Sequence, residues 1–243
     1  MPRFFVKDQN CGEGNVEILG QDAFHIARTL RMAVGDEITV CDQKGMTYQV
    51  VLKEIRDERV VGEILTATEG DSESPVEIHL FCAWPKGDKA ETVVQKAVEL
   101  GAATVTFFSS ERCIKHPKDD KLPRQIARLQ KIAEEAAKQS GRSRLPEICY
   151  PLSFAEMISK AKATDLPLFC YEGEDACSLK EAILGKTPIS AAIVVGAEGG
   201  FSPAEAQEAK NAGLCSVHLG KRILRCETAP LVALSALLFA FEL

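Results

Sequence analysis

The sequence predicts an α/β protein in which a mostly parallel sheet with helices on both faces follows a smaller, β-rich N-terminal unit. Three observations predict it. From Val76 onward, strand patterns alternate with helix patterns, as parallel sheets require. Four strand-to-helix junctions in that region carry matching helix-cap residues. Before it, short alternating apolar runs are separated by a glycine turn, as in antiparallel strands.

The first unit is assigned to residues 1–73. Glu37–Cys41 and Thr47–Leu52 read as strands joined by the hairpin turn Asp42-Gln43-Lys44-Gly45, and Val60–Leu65 reads as a further strand. A helical stretch, Asp22–Met32, carries His25, Arg28 and Arg31 at helical spacing. A small β-barrel with one helix fits this pattern. On charge alone such a helix face is solvated surface. The polar, turn-rich Glu69–Pro75 is the linker candidate.

The second unit is assigned to residues 74–243. Val76–Cys82 is its first strand, and Asp88 starts a helix that Gly101 ends. Thr104–Ser109 is a strand, and a long helix over Leu122–Gln139 stops at Gly141. Ser153 with Glu156 and Ser178 with Glu181 form capping boxes on either side of the strand Leu166–Tyr171. Gly185 closes the helix that Ser178 begins. The apolar run Ala229–Phe241 is too short for a bilayer, which takes about 20 residues. It reads as a buried helix with Leu231, Leu234, Leu238 and Phe241 on one stripe.

Between those elements lie two glycine-containing loops. The strand at Ile193–Val195 enters Gly196-Ala197-Glu198-Gly199-Gly200-Phe201, and Ser202, Pro203 and Glu205 then open a helix that Gly213 ends. The strand Cys215–Leu219 enters a second loop with Gly220, Arg222, Arg225 and Glu227, and Thr228 caps the final helix. Two loops leaving neighbouring strands on one sheet edge form the usual ligand crevice of open α/β sheets. The glycines do not give a dinucleotide or P-loop spacing, and Glu198 would repel a pyrophosphate. A cationic or uncharged ligand with hydroxyls fits better.

Composition limits the alternatives. The 243 residues are 46% hydrophobic, ample for a packed core. A net charge of −6 argues against a uniformly basic nucleic-acid coat. From Arg112 to Arg144, however, ten basic residues face four acidic ones, with Arg124, Arg128 and Lys131 on one helical face. Phosphate binding and a solvated helix face explain that segment equally well from charge alone. Nine cysteines occur singly, without C-x-x-C or a Cys/His ligand cluster. They read as reduced thiols in a cytoplasmic protein, with no metal. Met1–Asn10 is charged and has no secretory apolar core.

The words G-A-E-G-G-F-S and L-G-K-R-I-L-R-C-E-T-A resemble the SPOUT class of RNA methyltransferases and, within it, the ribosomal RNA small-subunit methyltransferase E family. Lys86–Glu91, Gln95–Gly101 and Glu135–Arg142 resemble segments of the same family. His25–Asp36, with Arg3, resembles its PUA-like RNA-binding domain. Three departures are visible: Ala197 replaces a usual Pro, Lys89-Ala90 a typical Arg-Met, and Lys138 a common acid.

The resemblance implies a trefoil-knotted C-terminal domain that binds S-adenosylmethionine, a topology too rare to derive from periodicity. It implies a homodimer with the active site near the subunit boundary, and methylation of uridine N3 in the decoding region of 16S ribosomal RNA. The implied cofactor positions are Gly196, Glu198, Gly199, Gly200, Leu219, Gly220, Ile223, Leu224 and Thr228, with Tyr171 and Glu172 at the preceding strand end. Glu227 is the candidate general base, and Arg225 the group that stabilises the uridine anion or holds its phosphate. A helix-terminus salt bridge is the rival reading for both. Candidate RNA contacts are Arg3, His25, Arg28, Arg31, Lys86, Arg112, Arg124, Arg128, Arg142 and Arg222. A non-catalytic RNA-binding or ribosome-assembly protein is the runner-up, followed by a tRNA-directed methyltransferase of the same fold.

Overall fold

The computed structural model describes residues 1–7, 10–12, 14–42, 45–113, 120–173 and 175–243. Gln43 and Lys44 of the hairpin turn, and Lys115, Lys118 and Asp119 of the basic segment, lie outside the described residues. The chain divides into two compact units, residues 1–73 with 137–145 and residues 74–136 with 146–243.

The first unit is a curled half-barrel. Its strands are β1 (Arg3–Phe5), β2 (Cys11–Gly12), β3 (Asn15–Leu19), β4 (Glu37–Cys41), β5 (Met46–Ile55) and β6 (Arg59–Glu69). They lie in the order β1-β4-β5-β6-β3-β2, antiparallel except for β1 with β4. Alternation along β3 turns Val16 and Ile18 inward to meet Phe4, Ile38, Val50 and Leu52. Gly62 is required on β6, where a Cβ would come within 2.2 Å of a Val50 methyl.

Three expectations change here. The helix is α1 (Gly20–Phe24) followed by a π-helical turn, His25–Thr29, in which the Leu30 amide donates to the His25 carbonyl. Arg31 falls outside it with φ +51°, so it does not continue a face with His25 and Arg28. The linker candidate is a bonded loop. Glu73 accepts from the Ser143 and Arg144 amides, each at 3.0 Å, and from Arg142 Nε at 3.2 Å. Gly70 fits because a Cβ there would sit 2.1 Å from Ser143 Cβ.

In the second unit the strands are β7 (Glu77–Ala83), β8 (Thr104–Phe108), β9 (Glu147–Leu152), β10 (Leu166–Cys170), β11 (Cys177–Ser178), β12 (Ser190–Val195) and β13 (Cys215–His218). Their order is β11-β13-β10-β12-β7-β8-β9, with every neighbouring pair parallel. The helices are α2 (Lys89–Glu99), α3 (Leu122–Ser140, whose last four residues belong to the first unit), α4 (Phe154–Ala161), α5 (Leu179–Ile183), α6 (Pro203–Asn211) and α7 (Ala229–Phe241). Phe81, Phe108, Phe169, Ala192 and Val194 form a core with Met157 of α4 and Ala209 of α6. Phe201 lies in it, 4.3 Å from the Phe169 ring centroid.

The capping boxes at Ser153, Ser178 and Ser202 all form. Asp88 and Thr228 sit at helix starts without a side-chain cap bond. At Thr228 the backbone is already helical, and the Arg225 carbonyl takes the Thr228 and Ala229 amides at 2.8 and 2.9 Å. The buried stripe of α7 is Pro230, Ala233, Leu234 and Leu237, not Leu231, Leu238 and Phe241. No helix of the described residues is long and apolar enough to cross a membrane.

Candidate cofactor and active site

The C-terminal ends of β10, β12 and β13 stand side by side, because β10 pairs with both of the others. The chain leaves β10 through Tyr171, whose amide donates to the Val217 carbonyl of β13 at 3.0 Å. It leaves β12 through a tight turn in which the Gly200 amide donates to the Ala197 carbonyl at 2.9 Å. Gly200 has φ +63°, a conformation open to glycine at no steric cost. A Cβ on Gly196 would come within 3.2 Å of Gly200 Cα and the Phe201 ring, so this turn closes tightly only around glycine.

These ends enclose a cleft of about 650 Å³, within the range of small-molecule sites. Of the predicted cofactor positions, Tyr171, Glu172, Gly196, Glu198, Gly200, Leu219, Ile223 and Leu224 line it. Three do not. Gly199 turns its carbonyl to Arg112 Nη1 at 3.1 Å, Gly220 donates its amide to His218 Nδ1, and Thr228 lies in the turn before α7. Arg225 lines the cleft, whereas Glu227 reaches it through Lys89.

Lys89 was missed as a site residue. It is the first residue of α2, and its ammonium lies 2.9 Å from Glu198 Oε1 and 3.2 Å from Glu227 Oε2. The Lys86 amide adds a bond to Glu198 Oε1 at 3.2 Å. Cys226 Sγ, also in the cleft wall, donates to Glu227 Oε2 at 3.2 Å. Its signal in the sequence is the word Lys86–Glu91, where Lys89 stands three residues after Lys86.

Electrostatics follow from these contacts. Desolvation opposes the Glu198 charge, yet bonds from Lys89, from its own amide and from the Lys86 amide outweigh it and hold the carboxyl at about 2. Desolvation likewise opposes the Glu227 charge. Its own amide, Cys226 and Lys89 outweigh it, so this carboxyl also lies below its usual range. The Glu198 bond raises the Lys89 ammonium above its usual range. Burial first, then the bond to Glu227, pushes the Cys226 thiol up to about 12, so it stays a donor.

A pH dependence follows. Folding depresses the Glu198 carboxyl from 4.5 to about 2, so its contribution to stability is complete above pH 4.5 and disappears as pH falls towards 2. Thermal midpoints of the wild type should fall across that window more steeply than those of Glu198→Gln. Parallel curves would refute the assignment.

The RNA candidates separate by environment. Arg142 is corrected: it is buried, with its side chain 6% exposed, and is bonded to Glu73, so it organises the first unit and offers no surface to RNA. Arg3 donates to the Arg142 carbonyl at 3.0 Å, and Arg28 makes a two-pronged pair with Asp57. His25 and Arg31 are exposed in the first unit. Lys86, Arg112, Arg124, Arg128 and Arg222 are exposed in the second, with Arg128 paired to Glu91 at 2.7 Å.

Comparison with known proteins adds to this geometry. Residues 72–238 match the RNA methyltransferase domain family, and residues 18–65 the RNA methyltransferase PUA domain family. The chain is 34% identical to the ribosomal RNA small subunit methyltransferase E of Bacillus subtilis (strain 168), covering 100% of this chain and 98% of that protein. The crystal structure of a ribosomal RNA small subunit methyltransferase E from Neisseria gonorrhoeae bound to S-adenosyl methionine superposes with a TM-score of 0.83. It is 33% identical, over 98% of this chain and 97% of that one. A protein from Legionella pneumophila, in complex with the bound cofactor SAM, superposes with a TM-score of 0.87 at 28% identity, over 98% of this chain and 97% of that one.

Proposed function

We infer, because this chain belongs to the ribosomal RNA small subunit methyltransferase E family, that it transfers the methyl group of S-adenosylmethionine to 16S ribosomal RNA. The observation that carries this reading is the cleft at the ends of β10, β12 and β13, lined by the two loops whose words match that family. Its residues fit the cofactor. Glu172 and Glu198 suit hydroxyls and a cation, while Leu219, Ile223, Leu224 and Ala229 supply an apolar wall for a base. The cleft's glycine turn lets backbone approach a ligand closely.

The finer assignment rests on resemblance. In it the acceptor is N3 of a uridine in the decoding region, and the working form is a homodimer in the small-subunit context. Ile223 supports the second point: it lines the cleft yet is 85% exposed, and Phe239 of α7 is 75% exposed. A second copy laid over the cleft mouth would cover Ile223 and complete the cleft.

When bound, the cofactor supplies a methyl group already activated on sulfur. The protein's part is alignment and charge. The target base must be unpaired to expose N3, and the N3 proton must leave. Glu227, held below its usual range, is a weak proton acceptor. In this reading it therefore orients Lys89 and Cys226, the N3 proton passes to solvent, and Arg225 stabilises the resulting anion.

Small subunits, free 16S ribosomal RNA and transfer RNA from cells lacking the enzyme, each incubated with the protein and labelled S-adenosylmethionine, should yield N3-methyluridine in the ribosomal RNA on nuclease digestion and mass spectrometry. Label only in transfer RNA would favour the tRNA-directed alternative. Cofactor binding without any label in RNA would favour the non-catalytic one.

A further inference from the structure

Lys89 ties together the two loops that make the cleft. Its ammonium meets Glu198, from the loop after β12, and Glu227, from the loop after β13, while itself belonging to α2. The three charged groups are between 22% and 32% exposed, so water screens them only in part. Together they carry one net negative charge at the cleft wall. Arg112 is drawn to the Gly199 carbonyl, and Arg225 and Glu172 complete the charged groups lining the cleft.

Methyl transfer changes the charge of the ligand held there. A lone pair on the acceptor nitrogen forms the new N–C bond, the S–C bond breaks with its electrons left on sulfur, and the nitrogen's proton goes to water. The donor is a sulfonium cation, and its product, S-adenosylhomocysteine, has a neutral thioether. We propose that the Lys89–Glu198–Glu227 cluster sets the cleft's preference for the charged donor over the neutral product, and so favours product release after transfer. The proposal rests on the cofactor assignment above. It gives Lys89 a purpose that packing alone does not: the ammonium moderates the pull of two carboxylates on the sulfonium.

Coulomb's law then fixes the signs. Removing a carboxylate charge weakens donor binding relative to product, and removing the ammonium strengthens it. Calorimetric titration of the full chain at pH 8 with each compound reads the ratio of the two dissociation constants. Glu227→Gln and Glu198→Gln should each shift that ratio towards the product by about three- to tenfold. Lys89→Met should shift it towards the donor by a similar factor, and Lys89→Arg should leave it near the wild-type value. A purely structural role would weaken both ligands together and leave the ratio alone. Equal ratios across the set, or shifts of one sign in all three charge-removing variants, would overturn the proposal. The two Gln variants still provide that reading if Lys89→Met proves too unstable to titrate. A wild type that binds neither compound would instead overturn the cofactor assignment itself.

Discussion

Glu73→Ala is expected to destabilise the first unit by about 3–5 kcal/mol, the usual result of stripping a buried charge of its partner. Arg142 has a side chain only 6% exposed, and Glu73 is the carboxylate that accepts from its Nε and Nη2. The same carboxylate accepts the Ser143 and Arg144 amides, so the substitution also leaves two backbone donors to find water. Urea denaturation followed by a probe in the first unit should show a lower midpoint with an unchanged slope. Glu73→Gln, which keeps an acceptor and loses the charge, should fall between. Asp57→Ala is the control. Its pair with Arg28 is 50% and 62% exposed, so its loss should leave the midpoint near the wild-type value. Were Arg142 a surface ligand for RNA, Glu73→Ala would leave stability almost untouched.

What could be read from the residues alone follows the range of the interactions involved. The capping boxes at Ser153, Ser178 and Ser202 were legible because cap and partner are three residues apart. The glycine loops were legible because their turn geometry is local. Lys89 was not: Glu198 is 109 residues away in sequence and Cys226 is 137. Glu69–Pro75 has a linker's composition, and only the distant Arg142–Arg144 segment makes Glu73 an anchor. The face of α7 was misplaced for a different reason. Nearly every residue from Ala229 to Phe241 is apolar, so periodicity carries little contrast. At Thr228 the residue type suited a cap, but the Arg225 carbonyl of the preceding turn took the role, and at Asp88 the backbone carbonyl, not the side chain, accepts the Glu91 amide.

Arg225→Ala should lower the single-turnover methylation rate by about a hundredfold, with S-adenosylmethionine affinity within about threefold of wild type. The expectation starts from the backbone. The Arg225 carbonyl accepts the Thr228 and Ala229 amides, which anchors the residue at the entrance to α7. Its side chain lines the cleft and forms no ion pair with any described residue. A guanidinium left unpaired at a ligand cleft is available to a charge that appears only during reaction, which is the condition for raising the rate and not merely the affinity. The helix-terminus salt bridge that rivalled this reading would instead have tied Arg225 to a carboxylate, and its loss would appear as instability. Arg225→Lys separates point charge from fork geometry: recovery to within tenfold means charge suffices, whereas a rate as low as Arg225→Ala means the planar donor pair is required. A wild-type single-turnover rate in Arg225→Ala would remove the residue from the chemistry.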